Sequence, residues 1–241
     1  MKMESSELLE RIGLMVRSKF RYHLCSITYT PTYKVGTGNL LFHDEQLFIL
    51  TCSHMAVEAY HDNNLEIRFE NDLVLRQNQI SLFKKSEEDD VALLRVEVDF
   101  ELGELNPLTL DNFAFSNDLR TAIDQYSDFV VVGFPSVIAK VDNSMKTIQL
   151  APLFYLTVLL PEKQQSEERV YLDYPSGKDG ESELPEAAGL SGAGIWKVQP
   201  MTDENKIWSP TAWKVVAIQS AWKRGEYLVG KRVKKIFDWL S

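Results

Sequence analysis

The sequence has only two cysteines, Cys25 and Cys52, among its 241 residues. Two are too few for the disulfide framework that stabilises many secreted proteins, and so low a number is typical of a chain that folds in a reducing compartment. We therefore expect both thiols to be free.

Long apolar runs are also missing. The first residues, MKMESSELLERIGLMVRSK, contain neither the apolar core of a secretory signal nor a stretch long enough to span a bilayer. Positive charge is scarce as well, because Lys and Arg number 26 against 35 Asp and Glu. The formal net charge of -9 gives no general reason to bind nucleic acid or an anionic membrane. We expect a cytoplasmic protein with neither of these partners.

A hydrophobic content of 44% is enough for a full core, either in one larger domain or in two small halves packed together. Near the start, an amphipathic helix is predicted over residues 4–18. Docking on the body of the protein is the favoured role of this helix, and binding of a partner is the alternative. Its apolar positions recur at helical spacing and are Leu8, Ile12, Met15 and Val16.

From Tyr22 onward the pattern changes to short β-rich runs separated by turn residues. The runs form two groups of about six, with no helical crossover between them. This arrangement predicts an all-β fold of antiparallel barrels or a sandwich rather than a parallel sheet. A closing amphipathic helix is predicted from the apolar stripe of Val233, Ile236, Phe237 and Leu240.

Residues 106–127 are rich in turn-forming residues and join the two groups of strands. The expected organisation is therefore a helical segment over residues 1–20, a first half over residues 21–115 and a second half over residues 116–241.

The strongest local motif is Gly189-Leu190-Ser191-Gly192-Ala193-Gly194, which directly precedes a predicted strand. Glycines let the backbone approach a substrate closely, and amides that converge beside a serine hydroxyl can form an oxyanion hole. A glycine-rich turn before a strand is also a common structural device. The motif indicates catalysis only if a base and an acid accompany it.

The candidate bases are four histidines that all precede Ser191. This order excludes the hydrolases in which serine comes first and histidine last. The subtilisin order requires an aspartate before the histidine, and only Asp44, in a polar turn, satisfies it. The order that remains is His, Asp, Ser. The four histidines are His23, His43, His54 and His61.

His54 has the most suitable context, because an apolar strand over residues 47–50 leads into it. Asp90 ends the acidic run 87–90 and directly precedes the apolar run Val91-Ala92-Leu93-Leu94. A carboxylate beside a buried strand can accept the imidazole N–H and fix its tautomer. A solvated acidic loop is the alternative interpretation of that run. We predict a catalytic triad of His54, Asp90 and Ser191.

Four segments together resemble the successive signature blocks of the trypsin-like (chymotrypsin-fold) serine peptidases, and the chain is most similar to their compact bacterial intracellular type. The resemblance extends over residues 22–230. It implies two antiparallel six-stranded β-barrels, with His54 and Asp90 in the first and Ser191 in the second. Some domains of this type are encoded beside bacterial defence systems. The segments are Gly36-Thr37-Gly38-Asn39-Leu40-Leu41, Ile49-Leu50-Thr51-Cys52-Ser53-His54, Asp90-Val91-Ala92-Leu93-Leu94 and Gly189-Leu190-Ser191-Gly192.

The resemblance implies a serine endopeptidase that cleaves one or a few intracellular protein targets under the control of a partner. The backbone N–H groups of Gly189 and Ser191 would bind the oxyanion. Ser220, Ala221 and Trp222 would pair with the substrate backbone. The reaction needs no metal and no cofactor. A catalytically silent peptide-binding module of the same fold is the alternative.

Three departures from the family pattern affect these expectations. Leu190 stands where many secreted relatives carry an aspartate that receives a new amino terminus, which argues against activation by zymogen cleavage. Ala193-Gly194 replaces the usual Gly-Pro. Pro185 stands where the base of the first specificity pocket is often set, so no preference for Lys or Arg is indicated.

Overall fold

The computed structural model describes most of the chain, in segments. The helix predicted over residues 4–18 lies outside the described residues except for Leu14 and Ser18, and a short helical segment runs from Ser18 to Phe20. The described residues are 14, 18–20, 22–29, 34–61, 64–70, 73–99, 102–103, 105–114, 128–138, 140–142, 147–149, 151–160, 162–163, 165–166, 168–175, 184–198 and 213–240.

Seven antiparallel strands form the first sheet, in the order β5-β4-β1-β2-β3-β7-β6. A helix, α1 (Ser53–His61), follows the third strand. The strands are β1 (Leu24–Tyr29), β2 (Lys34–His43), β3 (Gln46–Thr51), β4 (Leu65–Phe69), β5 (Val74–Arg76), β6 (Ile80–Ser86) and β7 (Val91–Val96).

Six antiparallel strands form the second sheet, in the order β11-β8-β13-β14-β15-β12. Its two edges approach each other through a bridge between Leu159 and Leu172. A two-stranded pair, β9 (Lys140–Asp142) and β10 (Thr147–Gln149), stands apart, and α2 (Lys234–Leu240) follows the last strand. The strands are β8 (Asp128–Gly133), β11 (Leu153–Val158), β12 (Arg169–Asp173), β13 (Gly194–Lys197), β14 (Lys214–Lys223) and β15 (Tyr227–Arg232).

The predicted fold class is confirmed, since both sheets are antiparallel and curled and helices are few. The strand inventory differs from the prediction in detail. The first sheet has seven strands instead of the six expected. Its edge strand β6 has no clear apolar pattern, because Lys84 and Lys85 interrupt it and both are exposed. The second sheet has six strands, and the β9–β10 pair is separate from it.

Successive residues of the central strands enter different cores. Ile49 packs inside the first sheet, whereas its neighbour Leu50 enters a core shared by both sheets. In the same way Val131 packs inside the second sheet and Val132 enters the shared core. Because side chains alternate across a strand, each sheet encloses one core and turns its other face toward the shared one. The two curled sheets are therefore packed against each other.

The connection between the two sheets pairs with both of them. Leu108 bridges Leu41 of β2, and Phe113 bridges Val215 of β14. Both bridges lie in the described segment 105–114, which follows the first sheet along the chain. Among the described residues, no helix is long and apolar enough to cross a membrane.

Thr37 of β2 fastens the first sheet to loops of the second. Its buried hydroxyl donates to the carbonyl oxygen of Gly189 at 3.0 Å and accepts from the backbone N–H of Phe134 at 2.9 Å. Its own backbone N–H donates to the carbonyl oxygen of Ser191 at 2.8 Å. The loop that contains Ser191 is therefore held from the first sheet by both side-chain and main-chain hydrogen bonds.

Replacement of Thr37 by valine keeps the size of the side chain. It leaves the Gly189 carbonyl oxygen and the Phe134 N–H without their hydrogen bonds to the Thr37 hydroxyl. We expect the free energy of unfolding to fall by about 2–4 kcal/mol, since each unsatisfied buried group costs roughly 1–3 kcal/mol. Urea unfolding measures the loss. Thr28→Val is the matched control, because Thr28 is also buried and no hydrogen bond of its hydroxyl links the two sheets within the described residues. Equal losses in the two variants would contradict the assignment.

Candidate active site

His54 lies just beyond the end of β3, in the first turn of α1. The strand end is fixed because the Thr51 hydroxyl donates to the carbonyl oxygen of Thr37 at 2.7 Å. The His54 side chain is 47% exposed, so solvent reaches the ring while its backbone is held by buried neighbours. A partly open imidazole on a rigid support is suited to proton transfer.

Asp90 lies one residue before β7, which pairs with β3 so that Thr51 is opposite Ala92. This register brings the residues that follow β3 next to those that precede β7. Asp90 accepts the Nδ1 hydrogen of His54 at 2.9 Å on Oδ2 and 3.0 Å on Oδ1. Its Oδ1 also accepts the His54 backbone N–H at 3.0 Å. The carboxylate thus fixes both the ring orientation and the tautomer, with Nε2 directed away from Asp90.

The Ser191 loop is shaped by two glycines with positive φ, Gly189 (94°) and Gly192 (91°). A Cβ on Gly192 would lie 2.0 Å from the Thr37 carbonyl oxygen, so no side chain fits there. The N–H of Gly192 donates to the carbonyl oxygen of Gln219 at 2.8 Å, which ties the loop to β14. Only glycine permits this backbone path and this close approach.

The two predicted oxyanion donors are the backbone N–H groups of Gly189 and Ser191. Within the part of the chain that the structure describes, neither N–H has a hydrogen-bond acceptor, whereas the N–H of Leu190 between them is bonded to Ala187. No described residue therefore occupies either N–H group. The Leu190 side chain is fully buried in the core of the second sheet.

The Ser191 loop and the His54 segment pack against the same part of β2. A Cβ on Gly36 would lie 3.3 Å from the Ser191 carbonyl oxygen and 2.9 Å from Cε of Met55, the residue after His54. The Ser191 hydroxyl, however, makes no hydrogen bond to any described residue. The structure thus joins His54 to Asp90 directly and brings the Ser191 backbone near them, without a bond between Ser191 and His54.

Nε2 of His54 instead faces Cys52, whose sulfur is 3.6 Å away. The Cys52 side chain is completely buried and its thiol is free. Sequence reasoning missed this contact. A signal was present, because a cysteine two residues before a histidine at a strand end lies within reach of the ring.

The two contacts raise the pKa of the His54 imidazole from 6.5 to about 10. The hydrogen bond to Asp90 is the largest cause and the contact with Cys52 is the second, while partial burial acts in the opposite direction. At neutral pH the ring in this arrangement carries a proton on both nitrogens. Nε2 must lose its proton before it can accept one from a hydroxyl group.

The other histidines have different surroundings. His23 is buried among aromatic rings, and desolvation, with a smaller contribution from the charge of Lys19, lowers its pKa to about 3. His43 lies at a turn beside Asp44, with 3.3 Å between Nε2 and Oδ2. The His61 side chain is outside the described residues. His23 has no carboxylate contact among the described residues, and the Asp44 carboxylate beside His43 is 88% exposed, whereas Asp90 accepts from both the ring and the backbone of His54.

A metal ion would find one group of ligand atoms among the described residues, those of Cys52, His54 and Asp90, which lie within 4.8 Å of one another. The Asp90 carboxylate is already bound to Nδ1 and to a backbone N–H. Only one nitrogen and one buried sulfur remain on the Nε2 side. Zinc sites in proteins use three or four protein ligands, so these two remaining ligands fall short of a zinc site.

The predicted substrate-binding residues Ser220, Ala221 and Trp222 lie near the end of β14. On one side β14 pairs with β15, with Ala221 opposite Val229. On the other side, pairing with β13 ends at Ile218, so beyond that residue this edge has no strand partner among the described residues. An open strand edge can accept an extended peptide by strand addition.

No protein-family model matches this chain, and no curated protein matches it. The function is therefore inferred from the residues and geometry of the site itself.

Substitution of Asp90 by asparagine should lower the pKa of His54 toward 6.5, because the largest cause of its rise is removed. Cys52→Ala should lower it by a smaller amount. Titration of the imidazole signals by NMR measures both shifts, and the signals of the remaining histidines serve as internal reference. An unchanged His54 titration in Asp90→Asn would contradict the hydrogen-bonded pair.

Proposed function

We propose that the chain is a trypsin-like serine endopeptidase with His54, Asp90 and Ser191 as its triad. The observation that carries the proposal is the double hydrogen bonding of Asp90, at 2.9 Å to Nδ1 and 3.0 Å to the backbone N–H of His54. Two curled antiparallel sheets are compatible with a chymotrypsin-like pair of barrels. A serine between two glycines of positive φ adds a candidate nucleophile on the second sheet.

In the proposed reaction, Ser191 Oγ attacks the carbonyl carbon of a peptide bond while Nε2 of His54 takes the hydroxyl proton. The N–H groups of Gly189 and Ser191 stabilise the negative oxygen that forms. The C–N bond then breaks, and His54 passes its proton to the leaving amine. Water, deprotonated by His54, hydrolyses the acyl-enzyme, and Asp90 stabilises the imidazolium in both steps.

The contact between Nε2 and Cys52 makes the described arrangement a resting state in this proposal. Catalysis requires Nε2 to leave the sulfur at 3.6 Å and to bond with the Ser191 hydroxyl. A step of this kind suits an enzyme that acts in the cytoplasm on one or a few protein targets and is controlled by a partner. The edge of β14 at Ser220–Trp222 would align the substrate backbone.

A fluorophosphonate probe tests the proposal directly. It should modify Ser191 of the intact protein, as located by peptide mass mapping, and the modification should disappear in Ser191→Ala and His54→Ala. Ser81→Ala, which changes a serine of the edge strand β6 whose hydroxyl is hydrogen-bonded to Glu97, is the control that should retain labelling. A protein that binds peptides but is not labelled between pH 6 and about pH 10 would instead be the silent binding module.

Removal of the Cys52 sulfur should accelerate labelling near neutral pH. Each unit by which the pKa of His54 falls raises the fraction of free base at neutral pH about tenfold, so Cys52→Ala should label severalfold faster at pH 7. The gain should vanish at high pH, where the wild-type ring is also deprotonated. Rates measured from pH 6 to about pH 10 provide the check, and slower labelling of Cys52→Ala at every pH would refute a resting contact.

A further inference from the structure

Asp90 is held at the end of a four-residue turn in the left-handed conformation, which non-glycine residues adopt uncommonly, although aspartate does so more readily than most. The turn joins β6 to β7 over Glu87–Asp90, and Asp90 has a φ of 49°. Its N–H donates to the Glu87 carbonyl oxygen at a long 3.3 Å. Non-glycine residues adopt this left-handed conformation at a cost, so neighbouring contacts must hold it in place.

One such contact comes from the second half of the molecule. Lys235, in α2, places its ammonium group 2.7 Å from Oδ2 of Asp89, the residue before Asp90. The same Oδ2 accepts the Ser86 hydroxyl at 2.6 Å, and the Asp89 N–H donates back to Ser86 at 3.2 Å. Lys235 thus binds an Asp89 side chain that is also hydrogen-bonded to Ser86, the residue before the turn.

A second lysine binds the turn backbone itself. Lys231, at the end of β15, donates to the carbonyl oxygen of Glu88 at 2.9 Å. The core supports both lysines, since Val91 and Ile236 belong to the same buried cluster. The turn that contains Asp90 is therefore held by two contacts from the second half of the molecule. One is made to the Asp89 side chain and the other to the Glu88 carbonyl oxygen.

We propose that Lys235, assisted by Lys231, is a positioning residue that holds Asp90 in register with His54 from across the two sheets. The inference rests on the proposed function for its catalytic meaning, but its structural claim concerns only the Asp90–His54 pair. Exposed ion pairs contribute little to stability, and the Lys235 side chain is 43% exposed. The contact should therefore affect the position of Asp90 more than the free energy of unfolding.

Other charged side chains lie near the turn, and one of them provides a control variant for Lys235. Lys85 pairs with Glu87 at 2.8 Å, and Glu88 and Asp238 act on the charge of Lys235. Lys234 precedes Lys235 in α2, is exposed, and makes no ion pair within the described residues. Lys234→Ala therefore removes the same charge from the same helix without touching the turn.

The test compares Lys235→Ala, Lys235→Arg and Lys234→Ala in a full-length Ser191→Ala background, with NMR titration of His54 as the readout. Loss of a nearby positive charge alone should raise the pKa of His54, whereas a displaced Asp90 should lower it. We expect Lys235→Ala to lower it, Lys235→Arg to match the parent, and Lys234→Ala to leave it unchanged or slightly higher. Lys235→Gln repeats the test if the alanine variant does not fold.

The same substitutions in the protein with Ser191 intact give a second readout. At high pH, where the wild-type His54 ring is also deprotonated and a fall in its pKa gives no gain in rate, Lys235→Ala should slow fluorophosphonate labelling about threefold to tenfold, because small displacements of catalytic groups are costly, and Lys234→Ala should not slow it. Identical His54 titrations in Lys235→Ala and Lys234→Ala would overturn the inference. If the pKa of His54 falls in Lys235→Ala but the wild-type protein is never labelled, the positioning role is upheld and the proposed function is rejected.

Discussion

The central strands of both sheets have no face turned to solvent. β3, β7, β8 and β13 each contribute alternate residues to the core of their own sheet and to the core between the sheets. Because both faces are covered, polar groups with a chemical role can lie only at strand ends and in the connecting loops. His54, Asp90 and Ser191 occupy such places: one follows β3, one precedes β7 and one precedes β13.

This constraint explains why much of the fold and part of the site could be predicted. A strand buried on both faces is an uninterrupted apolar run, and the run Val91-Ala92-Leu93-Leu94 was recognised for that reason. The approach of His54 to Asp90 was predictable from strand ends, and the antiparallel pairing of Thr51 with Ala92 supplies its physical cause. Edge strand β6 lacked the signal because solvent covers one side of it.

The remaining contacts depend on residues far apart in the chain, and local patterns carry no information about them. Thr37 and Gly189 are separated by 152 positions, yet one hydrogen bond joins them. Lys235 and Asp89 meet only because α2 packs on the same core cluster as Val91. Cys52 is different: it is near His54 in sequence, but its contact with Nε2 depends on the ring orientation that Asp90 imposes.

Each half of the molecule is hydrogen-bonded to a site loop of the other half. The Ser191 loop precedes a strand of the second sheet but is bonded to Thr37 of the first, and the Asp90 turn belongs to the first sheet but is bonded to Lys231 and Lys235 of the second half. A change in the relative placement of the two sheets would therefore strain both sets of hydrogen bonds, those at the Asp90 turn and those at the Ser191 loop. In the proposed reaction Nε2 of His54 must exchange its sulfur partner Cys52 for the Ser191 hydroxyl. Under that proposal, a partner that shifts the packing of the two sheets would act on the site through the hydrogen bonds that hold the halves together.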